Sequence, residues 1–226
     1  MADRQQTAFL FDLDGTLVDS VYDHVLAWHD ALQEEGIEVS VWRLHRKIGM
    51  SGGLFTKALA RETGTELNEA RLERLRAGHR KHYNSRSHLT RALPGARELL
   101  SFLTENGIPW AIATSGRIET AGPVLTMLGV DMDKVPVVTR DLVRYAKPDP
   151  DLFLAAAQKL GVDIETSCVV GDSIWDMLAA RRARALGVGL LSGGYGMEEL
   201  ERAGAYRVYE DPLDMLKHID EIGGRR

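Results

Sequence analysis

The chain has 226 residues, 44% hydrophobic and 27% charged, with a formal net charge of −5. That length and balance suit one compact domain with a sizeable insertion and exclude a disordered or fibrous chain. The single cysteine, Cys168, excludes an internal disulfide and a cysteine-built zinc site. No apolar run approaches the roughly 18 residues of a membrane span, and the net acidity argues against a nucleic-acid partner. The opening Met-Ala-Asp-Arg-Gln-Gln has no apolar leader, so a cytoplasmic protein is expected. Residues 43–91 hold twelve Lys/Arg and four Glu, a local +8 against −13 elsewhere. This pattern fits either an anionic small ligand held between a basic segment and an acidic body, or a solvated helical surface.

In chain order, residues 7–12 read as a short, fully buried strand of the kind found in parallel sheets. A helical pattern follows from about 19 to 86. Val21, Val25, Trp28 and Leu32 recur at helical steps and Gly36 stops the first helix. Further helices are predicted over 40–47, 51–63 and 68–83, with no strand in this stretch. Beyond Leu93-Pro94-Gly95 the rhythm changes to alternating helices (95–106, 118–128, 150–160, 174–185) and strands (110–114, 135–138, 167–170, 187–191). An edge strand at 206–209 and a short helix after Pro212 complete the chain. Alternation of this kind implies βαβ units. The expected fold is α/β: a Rossmann-like parallel sheet core (1–18 and 90–226) with a small all-helical cap (19–89) inserted after the first strand.

Ligand sites of such sheets lie beyond the carboxyl ends of the strands. Asp12 and Asp14, Thr114 and Ser115, and Gly171 and Asp172 occupy those ends. Two carboxylates two residues apart in extended chain face one pocket, and they stay together only with a cation or a shared proton. Such a pair offers a nucleophile or metal ligand beside a general acid/base.

Phe-Asp-Leu-Asp-Gly-Thr-Leu-Val-Asp-Ser (11–20) resembles the signature of the haloacid dehalogenase-like hydrolase superfamily, in its phosphatase and β-phosphoglucomutase-like branch. Ala113-Thr114-Ser115-Gly116, Lys147-Pro148-Asp149-Pro150 and Val170-Gly171-Asp172-Ser173 with Asp176 resemble its later motifs, in order. The resemblance implies Mg²⁺ held by Asp12, Asp172 and the Asp14 main-chain carbonyl. It further implies Asp12 as nucleophile forming an aspartyl-phosphate, Asp14 as general acid/base, Lys147 as a neutralising cation, and Thr114 and Ser115 as phosphate-binding groups. Asp176 is then a supporting residue one helical turn beyond Asp172. On the cap side, His24, Lys47 and Met50, with Arg117 after the second motif, are candidate substrate contacts; Arg46 is a candidate for a second anionic group.

Asp14 disfavours dehalogenase and phosphonatase readings, whose family members lack that second aspartate. The implied activity is a phosphatase of a small phosphorylated metabolite, phosphoglycolate or a sugar phosphate. The alternative is a sugar-phosphate mutase. Against it, Gly49-Met50-Ser51 is followed by Gly52, where the mutases carry an arginine. Cys168 reads as core packing, and His79, His82 and His88 as part of a solvated face among arginines. Monomer or homodimer is left open.

Overall fold

The computed structural model describes residues 6–224; residues 1–5, on which the expectation of no apolar leader falls, lie outside the described residues. β1 (Ala8–Phe11) is buried throughout and lies between two parallel neighbours, β4 (Trp110–Ala113) and β6 (Ser167–Gly171). β5 (Val137–Val138) extends the sheet beyond β4, and β7 (Leu186–Leu190) and β8 (Ala205–Tyr209) extend it beyond β6. The order is β5-β4-β1-β6-β7-β8, every pair parallel.

Side-chain alternation along β1 divides the core. Phe9 and Phe11 enter one apolar cluster with Leu99, Leu103, Leu125 and Met215. Those residues belong to α5 (Ala96–Glu105), α6 (Ile118–Leu128) and α10 (Pro212–Lys217). Leu10 points the other way, into a cluster with Phe153, Ala156 and Ala180 of α7 (Asp151–Leu160) and α8 (Ile174–Ala183). α9 (Met197–Ala203) packs beside α8 and β8. Helices thus cover both faces, which is why the central strands read as continuous apolar runs.

Between β1 and β4 the chain forms α1 (Val21–Glu34), α2 (Val41–His45), α3 (Gly52–Thr63) and α4 (Glu69–Arg86). They bury an apolar cluster of their own, including Val25, Leu32, Leu44, Phe55, Leu59 and Leu75. Local signals set the boundaries. Ser51 and Asn68 cap α3 and α4 by accepting from Leu54 N–H and Arg71 N–H, and Gly64 ends α3 with φ of 63°.

Where the chain leaves and re-enters the core, β2 (Val18–Asp19) pairs antiparallel with β3 (Arg91–Ala92). This pair lies at the borders of the helical stretch and is absent from the expected strands, because two residues are too few for an alternation to register. β5 is also shorter than the expected 135–138. No helix among the described residues is long and apolar enough to cross a membrane.

Candidate active site

The first strand hands directly into the site. Asp12 N–H donates to Val170 O at 2.9 Å, continuing the β1–β6 ladder by one residue. The chain then turns sharply: Gly15 adopts φ of 81°, and its N–H donates to Val18 O at 2.8 Å. Asp12, buried to 3% exposure, meets the ammonium of Lys147. Lys147 is wholly buried in the loop before α7, and its Nζ lies 2.7 Å from Asp176 Oδ1. The other oxygen of Asp176 accepts from Ser173 N–H at 3.1 Å and from the Ser173 hydroxyl, closing the N-terminus of α8. Asp172, at the end of β6, accepts from Thr16 Oγ1 at 3.0 Å.

Carboxylate oxygens of Asp12, Asp172 and Asp176 all lie within 4.8 Å of one another. Three buried carboxylates face one ammonium, and the electrostatics record the deficit. Burial, reinforced by Asp176, pushes the Asp12 carboxyl up to about 7 despite the opposing pull of Lys147. Burial, with Asp176 and Asp12, holds Asp172 well above the carboxylate range. Burial disfavours the Lys147 charge, yet the two carboxylates outweigh it and raise its affinity for the proton.

An all-oxygen, charge-deficient donor set fits a hard divalent cation. The main chain is also shaped around it: a Cβ on Gly193 would stand 1.7 Å from Asp172 Oδ2, and one on Gly15 2.6 Å from it. Both oxygens of Asp176 are committed to Lys147 and Ser173, which leaves Asp12 and Asp172 as the freer donors.

Asp14 lies across from this cluster. Its Oδ1 accepts from Ser20 Oγ at 2.6 Å and stands 3.2 Å from His24 Nε2. Burial raises its carboxyl, but His24 and Ser20 together more than offset this and leave it below the usual value. Ser20 immediately precedes α1 and His24 lies one turn on, so a single helix terminus supplies both partners.

At the end of β4, Thr114 Oγ1 accepts from Gly116 N–H at 2.9 Å. Ser115, expected among the phosphate-binding groups, lines the same cavity and donates its hydroxyl to Gly49 O across to the helical cap, at 3.1 Å.

These groups open into a cavity of about 540 Å³. Asp12, Asp14, Asp172 and Thr114 line it from the core side, Trp28, Phe55 and His79 form a ring wall on the cap side, and Arg76, Arg80, Arg117 and Arg140 also belong to the lining. His24, Lys47 and Met50, the cap-side candidates, also line it. The Lys47 ammonium, however, is held by Glu62 at 2.8 Å and by Arg43 O at 3.0 Å. Arg117 pairs with Asp141 at 3.0 Å. Arg46, a candidate for gripping an anion, turns away from the cavity: it pairs with Glu199 of α9 and lies 4.1 Å from the Tyr195 ring centre.

His79 corrects the expectation of a solvated histidine face. It lines the cavity, stacks on Trp28 with centroids 4.3 Å apart, and its Nε2 lies 3.1 Å from His24 Nδ1. The signal was present as Leu75, His79 and Tyr83 at four-residue steps, with Leu75 and Tyr83 buried. It was obscured by the charges filling the rest of α4. His82 pairs with Glu34 at 3.0 Å and His88 is exposed, in keeping with that expectation.

A family model for haloacid dehalogenase-like hydrolases matches residues 6–184. Among curated proteins, the chain is 36% identical to hexitol phosphatase A of Escherichia coli (strain K12) over 73% of this chain and 74% of that protein. It is 33% identical to phosphoglycolate phosphatase of Agrobacterium fabrum over 81% and 80%. Among solved structures, a hydrolase from Pseudomonas syringae is 59% identical, with a TM-score of 0.94, covering 96% of this chain and 100% of that one.

Proposed function

Because the chain belongs to the haloacid dehalogenase-like hydrolase family, we propose that it is a cytoplasmic, Mg²⁺-dependent phosphoric monoester hydrolase acting on a small phosphorylated metabolite. Residues 19–89 act as its cap, and 1–18 with 90–226 as its catalytic core. The observation that carries this reading is the buried Asp12–Lys147–Asp176 chain beside Asp172, facing Asp14 across one cavity.

Asp12 and Asp172, with the main-chain carbonyl of Asp14, would hold Mg²⁺. When bound, the ion supplies the positive charge that lets one anion approach another. Asp12 attacks phosphorus and takes the phosphoryl group as an aspartyl-phosphate while the ester oxygen departs. Lys147, fixed by Asp176, offsets charge on the nucleophile and the transferring group. The Thr114 hydroxyl and the main-chain N–H groups beside it receive phosphoryl oxygens. Asp14, held below the usual value in the free site, takes up a proton as the anionic ester binds, gives it to the departing oxygen, then takes one from the water that cleaves the aspartyl-phosphate. Its Oδ2 has no hydrogen-bond partner among the described residues, so that oxygen is the one placed to carry the proton.

The ring wall of Trp28, Phe55 and His79 offers apolar faces to the C–H groups of a carbon skeleton, and the cavity has room well beyond a two-carbon acid. A sugar or polyol phosphate is therefore favoured over phosphoglycolate. Against the mutase alternative, which needs a cap cation for a second phosphate, the cap cations that line the cavity are already paired: Lys47 with Glu62, and Arg76 and Arg80 with Glu73.

The test is phosphate release from hexose phosphates, hexitol phosphates and phosphoglycolate, with and without Mg²⁺, for the wild type and Asp12→Asn. Release that requires both the ion and Asp12 is expected, highest with a sugar or polyol phosphate. No release from any of them, together with conversion of β-glucose 1-phosphate to glucose 6-phosphate once a bisphosphate is supplied, would overturn the reading in favour of the mutase.

A further inference from the structure

We propose that Arg140, on the core beside the phosphoryl-binding turn, is a specificity-determining residue of the cavity, and that it selects a carboxylate on the substrate: a phosphorylated sugar acid. The inference rests on the phosphatase reading and narrows its substrate class.

Five cations line the cavity: Lys47, Arg76, Arg80, Arg117 and Arg140. Four already have a carboxylate. Lys47 is held by Glu62 at 2.8 Å, Arg76 and Arg80 share Glu73 at 3.5 and 3.2 Å, and Arg117 meets Asp141 at 3.0 Å. Arg140 has no carboxylate partner among the described residues. Its guanidinium is held by two main-chain carbonyls instead: Nη1 donates to Val143 O at 2.7 Å and Nη2 to Arg144 O at 3.4 Å. Carbonyl oxygens orient the fork without cancelling its charge. Nε has no acceptor among the described residues, so one edge of the fork stays open. Glu119, which also lines the cavity, is exposed and forms no ion pair among the described residues; water screens its charge.

The position of Arg140 is set from the phosphoryl end. It follows β5 by two residues, and its N–H donates to Gly116 O at 3.0 Å. Gly116 N–H in turn donates to Thr114 Oγ1 at 2.9 Å. The main chain that carries the uncompensated cation is thus bonded to the turn assigned to phosphoryl oxygens. On the cap side stands the ring wall of Trp28, Phe55 and His79. A molecule that uses all three regions has a phosphoryl group, a carbon skeleton with C–H faces, and a further anion.

The kind of anion follows from the charge count. One unneutralised guanidinium matches one negative charge, and a planar carboxylate can accept from Nε–H and a neighbouring Nη–H together. A second phosphate, close to doubly charged, would need another free cation. The rest of the lining offers none, since its other four cations are paired. Arg140 also lies outside the basic stretch at 43–91, so the selecting charge comes from the core rather than from the cap.

The test uses two compounds with the same six-carbon chain, 6-phosphogluconate and sorbitol 6-phosphate, which differ at C1: a carboxylate in one, a hydroxymethyl in the other. Phosphate release from both is compared in the wild type, Arg140→Gln and Arg140→Lys. The wild type is expected to favour 6-phosphogluconate by at least about tenfold in kcat/KM, chiefly through KM. Arg140→Gln should bring that ratio close to one. Arg140→Lys, which keeps the charge but not the fork, should retain part of it. Arg140→Met serves as a second uncharged variant should the glutamine variant fold poorly. A wild type indifferent between the two compounds would overturn the proposal. So would an Arg140→Gln variant that slows both alike and keeps their ratio, which would make Arg140 a brace of the 140–147 loop. A preference for fructose 1,6-bisphosphate over 6-phosphogluconate would overturn it in favour of a second phosphate. Calorimetric binding of the two compounds to Asp12→Asn protein, with and without Arg140→Gln, reads the same ratio without turnover. No phosphate release by the wild type, together with about tenfold tighter binding of 6-phosphogluconate that Arg140→Gln abolishes, would refute the phosphatase reading and uphold the role of Arg140.

Discussion

Lys147 is wholly buried and still keeps its proton, because Asp12 and Asp176 lie against its ammonium. The reverse holds for the surplus carboxylates. Asp12 rises to about 7 and Asp172 rises well above its ordinary value, so the native state binds protons that the unfolded chain has already released. Stability therefore falls as pH climbs from the ordinary carboxylate range through those raised values. Asp14, shifted downward, adds stability that is lost only on the acid side. The melting temperature of metal-free protein is expected to drop by several degrees between about pH 5 and about pH 7.5. Millimolar Mg²⁺ should restore more of it at the higher pH, because the ion competes with the same protons; thermal unfolding at the two pH values checks this. Gly193→Ala presses a Cβ onto Asp172 Oδ2. It should remove both the Mg²⁺-dependent rise in melting temperature and at least about a hundredfold in rate, with the circular dichroism of the folded chain unchanged.

At the scale of elements, legibility followed length and contrast. β1, β4 and β6 are unbroken apolar runs ending in polar residues, so their carboxyl ends, and with them Asp12, Thr114 and Asp172, could be placed from sequence. β2 and β3 have two residues each and left no pattern. α4 buries only Leu75 and Tyr83 fully along 18 residues, so its cavity-facing side was masked by charge. The contacts that engage the Ser115 hydroxyl and Arg46 lie across the core–cap boundary, which no local pattern reports. Short elements also depend on their ends. Asp211 caps α10 by accepting from Asp214 N–H at 2.9 Å, just before Pro212 at the first helical position, and α10 inserts Met215 into the core against α5. Asp211→Ala is expected to cost about 1 kcal/mol and to lower the melting temperature by about 2–4 °C in a chain of this size, with kcat unchanged.

For the molecule as a whole, the uneven charge follows the helical-surface alternative more than the gripped-anion one. Much of the basic segment is neutralised within the cap, by acids of α1 and its C-cap that precede it: Arg74 and Arg71 pair with Glu35, Lys81 with Glu34, and Arg86 with Asp30. Only a few of its cations line the cavity. Cap and core are joined instead by a compact set of polar contacts. Ser51 N–H donates to Lys147 O at 2.8 Å, His45 Nε2 to Gly193 O at 2.8 Å, and Tyr195 Oη to Arg46 O at 3.0 Å, beside the Arg46–Glu199 pair. Arg46→Ala removes the charged part of that seating. It should speed hydrogen exchange at the Ser51 amide by about tenfold while leaving amides of the central strand β6 unaltered. An equal acceleration in both places would mean that the contact serves global stability rather than cap seating.

The ring wall has one more consequence. Trp28 is stacked between Phe55 and His79 inside the cavity, whereas Trp110 is sealed in the core and Trp42 stands largely in solvent. A molecule entering the cavity therefore changes the surroundings of Trp28 directly and leaves these two as an internal reference, once the fourth indole, Trp175, which bonds to Arg46 O beside the cavity, is replaced by Phe. The chain carries its own optical gauge of occupancy. Titrating an Asp12→Asn variant with candidate phosphates and following intrinsic fluorescence would rank ligands by binding alone, before any of them is turned over.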